Sequence, residues 1–321
     1  MPQPLPPGSP RPRPAEVLES AARPMSDSAS VHTRSDRPLT GIALMLTALA
    51  MYMITDTVAK YLTAEVPPVQ IVWSRYAAYL LILTPIVLWR GVARSFATPR
   101  PAAHGWRSLA MLLSGTCFTI SLAHLELAFA ITVAFVSPLF VTALSMLFLG
   151  ERVGWRRWSA VVVGFLGVLI VIRPGAAFSP WSLLPIASAF LWAISLILTR
   201  RTGTDHPLTN LVYTTIVGAI VSTPMVLPFW TWISWQAWAM LFCIAAWNLC
   251  ALTIMVRAFA HAPASTLAPF SYSQLIWSIL LGWAVFGDIP DLLTYVGGGI
   301  VIASGVYVWH RERVRARSQA A

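Results

Sequence analysis

Charge is scarce in this chain. Asp, Glu, Lys and Arg make up 11% of its 321 residues, whereas a soluble domain carries about a quarter. Lysine is almost missing: Lys60 stands alone, and no glycine-rich loop precedes it. A P-loop needs its lysine behind such a loop to reach the nucleotide phosphates, so an ATP motor within this chain is excluded. The three cysteines, Cys117, Cys243 and Cys250, fall in apolar runs. Cys243 and Cys250, seven apart, share a helix face. None has metal-ligand spacing, and all three read as small packing residues. Zinc-ligand patterns, a nucleophile elbow and paired catalytic carboxylates are also lacking. The sequence thus offers no catalytic residue, no metal site and no cofactor, and an enzyme is not expected.

Apolar length is what the chain has. Of its residues 57% are hydrophobic, in repeated runs close to the roughly 20 that a helix needs to cross a bilayer core. Ten spans are read: 39–62, 68–89, 106–124, 126–149, 156–173, 180–199, 207–229, 236–257, 264–286 and 290–309. With the N-terminus inside and the sides alternating, nineteen of the 22 basic residues fall on one side, Arg107 among them. Lys60 and Arg173 fall near the other side, and Arg75 falls within a span. Short cytoplasmic loops collect Lys and Arg. Both termini are therefore assigned to the cytoplasm, and the net charge of +10 is read as topology, not as a nucleic-acid surface. The expected class is an all-α, multi-pass protein of the cell inner (cytoplasmic) membrane. Residues 1–38, rich in Pro, Ser and Arg, are expected to form a disordered cytoplasmic tail. They lack the apolar core of a secretory signal, and Met25 opens a second candidate start beside Met1. Residues 310–321 form a basic cytoplasmic tail.

A weak internal repeat organises the rest. "PPVQIVWSRYAAYLLILTP" from Pro67 corresponds to "HPLTNLVYTTIVGAIVSTP" from His206. "SPLFVTALSMLFLGE", ending at Glu151, corresponds to "QLIWSILLGWAVFGD", ending at Asp288. The expected domains are residues 39–173 and 174–309, five spans each. An odd number of spans per half makes the halves enter the membrane in opposite orientation. Such inverted repeats place a solute site near mid-membrane between them.

"FVSPLFVTALSMLFLGERVGWRRW" and "VVGFLGVLIVIRPG" resemble the fourth and fifth spans of the first repeat in the EamA family of the drug/metabolite transporter superfamily. "LLGWAVFGDIPDLLTYVGGGIVIASGVYV" resembles the matching part of the second repeat. Asp56 with Lys60, and "QIVWSRY" in span two, are similar to one proteobacterial subgroup. The resemblance covers about residues 40–309. It implies a secondary transporter of a small polar or amphipathic metabolite, working by alternating access without hydrolysing nucleotide. Amino acids, riboflavin, S-adenosylmethionine, metallophores and drugs are the family's solutes. It also implies that spans five and ten are a scaffold or a homodimer face. The expected partners are a small-molecule solute and the lipid bilayer, with proton coupling left open. The rival reading is a membrane sensor or scaffold, or a membrane enzyme, without transport activity. A sensor needs a signalling module and an enzyme needs a catalytic cluster, and neither is visible.

Ionisable residues inside the spans are the candidate site. A charge at mid-bilayer costs at least about 2.5–3.5 kcal/mol, so it needs a partner or a wet cavity. Asp56 and Lys60 are four apart and share a helix face in the favourable acid-first order. Asp56 sits about 9 Å below the outer end of its span, and Arg75 about 10 Å below the same surface on the next. The two are expected to be paired or nearly so, contacting solute or taking a proton, with structural glue as the alternative. Lys60 is the charge partner, or else snorkels outward. Glu126, at the start of span four, is either a helix-end acid favoured by the macrodipole or a gate. Asn248, Tyr272 and Gln274 either join helices or face the solute, because a buried polar group needs a hydrogen bond. Trp247 either stacks on solute or packs against lipid. Glu151 and Asp288 are expected to cap or brace loops.

Overall fold

The computed structural model describes residues 38–150, 155–173, 178–201 and 206–320. The expected N-terminal tail up to residue 37, and Glu151, lie outside the described residues. Among the described residues there is no strand. A short helix at Val92–Phe96 and single tight turns at Pro180–Ser182 and Leu227–Phe229 stand between ten main helical segments. They are α1 (Pro38–Leu62), α2 (Pro68–Arg90), α3 (Pro101–Leu122), α4 in two pieces (Leu127–Ala134 and Ser137–Leu149), and α5 (Trp155–Ile172). The rest are α6 (Leu183–Arg201), α7 (Pro207–Val226), α8 (Trp235–His261), α9 in short pieces between Ala264 and Phe286, and α10 (Leu292–Ala320). Six are long and apolar enough to cross a membrane: α1, α2, α4, α6, α7 and α8. Two shorter apolar stretches, Trp158–Ile172 and Leu292–Tyr307, belong to α5 and α10.

Local chemistry explains where these helices start, stop and break. Pro68, Pro101 and Pro207 open α2, α3 and α7, where a missing N–H costs nothing and φ is already helical. Ser234 caps α8 by accepting from the Ala237 N–H at 3.2 Å. α4 and α9 both end on glycines in the left-handed region, Gly150 at φ 66° and Gly287 at φ 71°, which a side chain would strain. Their interiors break too. Pro138 obstructs the carbonyl four residues back, and α4 is interrupted at Phe135 and Val136. Pro269 does the same to α9, which passes through a tight turn at Ala268–Tyr272. Hydroxyls inside the helices bond to carbonyls one turn back, as Thr55 does to Met51 and Thr57 to Met53.

The packing keeps the register of the repeat. α1 packs on α8 and α3 on α6; α2 packs on α8 and α3 on α7; α1 packs on α9 and α6 on α4. α2 also packs on α7, α4 on α9, and α5 on α10. Exchanging each helix of α1–α5 for the one five places later leaves these pairings unchanged, whereas the packing of α2 on α3 has no comparable counterpart between α7 and α8. α5 and α10 approach closely: a Cβ built on Gly167 would lie 2.9 Å from the Gly297 carbonyl oxygen. Small residues there let backbones meet, which is how helices associate where lipid removes the hydrophobic drive.

Candidate functional site

Asp56 on α1 and Arg75 on α2 are partly buried. They act on each other electrostatically, yet no ion pair joins them among the described residues. Neither side chain makes a hydrogen bond to the protein there, and the Arg75 Nε is buried without a partner. α1 and α2 each pack on second-half helices, α1 on α8 and α9 and α2 on α7 and α8.

Tyrosines surround this pair. Tyr52 lies one turn before Asp56, and Tyr79 one turn after Arg75, so each shares its neighbour's helix face. Tyr79 donates its hydroxyl to Asn248 Oδ1 on α8 at 2.7 Å. Its hydroxyl is within electrostatic reach of Arg75, Tyr76, Tyr52 and Asp56. Asn248 therefore joins helices and borders the charged centre at once. Tyr79 was not singled out by the sequence, although the four-residue step from Arg75 marks it.

Arg107, expected on the cytoplasmic side at the start of span three, stands further along its helix than that span boundary implies. The helix begins five residues earlier, at Pro101, and this places Arg107 inside the bundle at 6% exposure. Its Nη2 donates to the Asn210 carbonyl at 2.7 Å and to the Thr214 hydroxyl, both on α7. No carboxylate faces it within ion-pair distance among the described residues.

The end of the bundle where α1 finishes carries a second cluster. Lys60 does not snorkel outward. Its ammonium lies 3.3 Å from Asp288 at the end of α9, donates to the Leu125 carbonyl at 2.8 Å, and sits 5.0 Å from the centre of the Phe286 ring. Asp288 thus braces across the two halves. Glu126 stands just outside the span that begins at Leu127 and makes no capping hydrogen bond with its side chain. Partial burial pushes its carboxyl above the usual range, the Asp288 charge adds to this, and Lys60 opposes both.

The remaining candidates are dispersed. Tyr272 stacks on Phe135 with ring centres 5.3 Å apart. Together they line a cavity among α4, α5, α9 and α10, where a side chain on Gly305 would meet the Tyr272 hydroxyl. Gln274 is partly buried with no hydrogen bond among the described residues, and Trp247 is 43% exposed on α8. Among the described residues no group of three His, Cys, Asp or Glu could hold a metal ion.

Known proteins match along this same length. The model of the EamA-like transporter family matches residues 39–173 and again 179–309. The S-adenosylmethionine uptake transporter of Rickettsia conorii is 29% identical over 277 residues, covering 86% of this chain and 94% of the relative. The riboflavin transporter of Vibrio cholerae is 31% identical over 293 residues, covering 88% and 97%. The pseudopaline exporter of Pseudomonas aeruginosa is 27% identical over 269 residues, covering 82% and 94%. One solved crystal structure shares the fold with a TM-score of 0.59 at 18% identity, over 83% of this chain and 94% of that one. Two family matches in one chain, relatives named as transporters, and helices long enough to cross a membrane lead to one conclusion: this multi-pass membrane protein belongs to the EamA-like transporter family.

Proposed function

We propose that this protein is a secondary transporter that carries a small polar or amphipathic metabolite across the cytoplasmic membrane by alternating access. In this reading all ten helices span the bilayer, residues 39–173 and 174–309 are inverted repeats, and both termini face the cytoplasm. The observation that carries it is the charge pair Asp56 and Arg75, held within the bundle without a protein hydrogen bond. A pair kept only for architecture would close, because an uncompensated buried charge is costly. A solute or a proton satisfies the open pair instead. Asp56 and Arg75 hold the solute, and Asn248 and Gln274 border it. Trp247, Tyr272 and Glu126 stand further out. The bridge from Lys60 to Asp288 latches the halves at one end and opens during the cycle.

Thermal unfolding of the purified protein against S-adenosylmethionine, riboflavin and amino acids tests this. A compound at 100 times its dissociation constant adds about 2.7 kcal/mol to the folded state. The expected result is a stabilising compound whose effect disappears in both Asp56→Asn and Arg75→Gln. Full affinity in both variants would move the site elsewhere. Stabilisation by none of the compounds would remove the support for solute binding.

A further inference from the structure

The repeat gives one pair of residues a special relation. α4 begins at Leu127 and closes on the left-handed Gly150; α9 begins at Ala264 and closes on the left-handed Gly287. Starts and ends are offset by the same 137 residues, and this register makes Phe135 and Tyr272 counterparts. Each stands at the interruption of its helix. Phe135 follows the first piece of α4, which ends at Ala134, and Tyr272 closes the tight turn Ala268–Tyr272 of α9. The two rings stack on each other, with centres 5.3 Å apart and planes 25° from parallel. A residue that touches its own counterpart lies at the pseudo-two-fold axis relating the halves.

The two facing states of an inverted-repeat transporter are related by exchanging the conformations of its halves. Exchange turns a contact between two residues into a contact between their counterparts. Lys60 corresponds to Thr199 and Asp288 to Glu151, so the Lys60 bridge to Asp288 is not remade in the exchanged state. The contact of Phe135 with Tyr272 is turned into itself.

Space beside the stack permits a swing. Both rings line a cavity among α4, α5, α9 and α10, with Gly164 and Gly305 in its wall. A close-packed interior resists rearrangement. Room next to two helix interruptions is where helix pieces can change their angle.

We propose that the Phe135–Tyr272 stack is the pivot of the transport cycle. The pieces of α4 and α9 swing about it, the contacts at the two ends of the bundle are exchanged, and the two rings stay stacked throughout. This rests on the alternating-access reading above and adds the point of the bundle that keeps its contact.

The test uses the full chain in lipid nanodiscs, with Cys117, Cys243 and Cys250 replaced by alanine. Spin labels on Ala123→Cys with Ile289→Cys report the spread of the end where Lys60 lies, and labels on Leu147→Cys with Ala260→Cys report the opposite end. In separate samples, para-fluorophenylalanine at position 135 reports the stack through the ring-current shift from Tyr272, identified by its loss in Tyr272→Leu. Each end pair should show two distances, one end long where the other is short. Lys60→Gln should move their ratio about 5-fold or more toward the state open at its own end, as expected for a lost charged hydrogen bond. Every fluorine resonance should carry the ring shift, in the wild type and in Lys60→Gln alike. Phe135→Leu should leave the ratio of the two distances within about twofold of the wild type, because both states lose the same contact. A fluorine resonance without the ring shift in either protein overturns the proposal, and this arm keeps both rings in place. A Phe135→Leu change of ratio as large as that of Lys60→Gln overturns it as well. A single distance at each end in both proteins removes the alternating-access reading, and the pivot falls with it.

Discussion

At positions that correspond across the repeat, the first half carries Asp56, Arg75 and Tyr79, and the second carries Ser195, Thr214 and Gly218. The helices are alike but the side chains are opposite in kind. The contacts explain why. A Cβ on Gly218 would run into the ring of Tyr76. Thr214 accepts from Arg107. Asn248 accepts from Tyr79, Thr223 from Trp73, the Ser188 carbonyl from Ser114, and Asp288 from Lys60. In each link the first half donates and the second accepts; Gln70 both donates to and accepts from Thr231. Divergence of the halves has made one of them a bearer of large polar groups and the other their receiver. Such an interface joins the halves through a few directional bonds.

The strongest way to break this comparison is to give the receiver a side chain of its own. Gly218→Val places two methyl groups against a Tyr76 ring that is only 6% exposed. Overpacking of this kind costs about 1–3 kcal/mol. The unfolding midpoint should fall, and Tyr76→Leu in the same chain should recover most of the loss. A Gly218→Val protein as stable as the wild type would mean that the halves do not meet there.

The latch sharpens the comparison at one end of the bundle. Lys60 and Asp288 keep 14% and 28% of their side-chain surface exposed, so their pairing is partly screened. A double-mutant cycle with Lys60→Gln and Asp288→Asn should give a coupling of about 0.5–1 kcal/mol in unfolding. A coupling near zero would leave Lys60 held by the Leu125 carbonyl and the Phe286 ring alone, with Arg173 and Asp291 as the remaining ion pair between the halves among the described residues.

Much of this was legible beforehand, for physical reasons that can be named. Apolar runs and opening prolines mark α1 and α2 within a residue of their ends and α7 at its start, the expected span running three residues past Val226. The Gly-plus-acid endings of α4 and α9 mark the left-handed caps at Gly150 and Gly287. Partnering was less legible. Local spacing set Asp56 and Arg75 at one depth, but whether they touch depends on which helices α1 and α2 pack against. Lys60, close to its span end, was expected either to partner a charge or to snorkel outward; its pairing with Asp288, 228 residues away in sequence, is beyond the reach of any local rule. The burial of Arg107 was not legible, because its helix starts at Pro101, five residues before the expected span boundary, and adds a turn ahead of it.

The smallest expected effect comes from Glu126, which has no counterpart role in the second half and tests whether the latch region senses pH. Its carboxyl is pushed above the ordinary range, first by partial burial and then by Asp288, against the pull of Lys60. The folded state therefore holds the proton more tightly than the unfolded chain does. Stability owed to this group is full below the ordinary carboxylate range and is lost as pH rises through its folded value. Glu126→Gln removes the titration. Its unfolding midpoint should track the wild type at acid pH, rise above it as the pH climbs through the raised range, and stay a constant step above it thereafter. Because Glu126 is exposed, solvent screens much of the effect, so the step should be smaller than the change on breaking the Lys60 bridge. A difference between the two proteins that did not vary with pH would place Glu126 outside the electrostatic reach of Asp288 and Lys60. The latch would then be a two-residue device without a third acid.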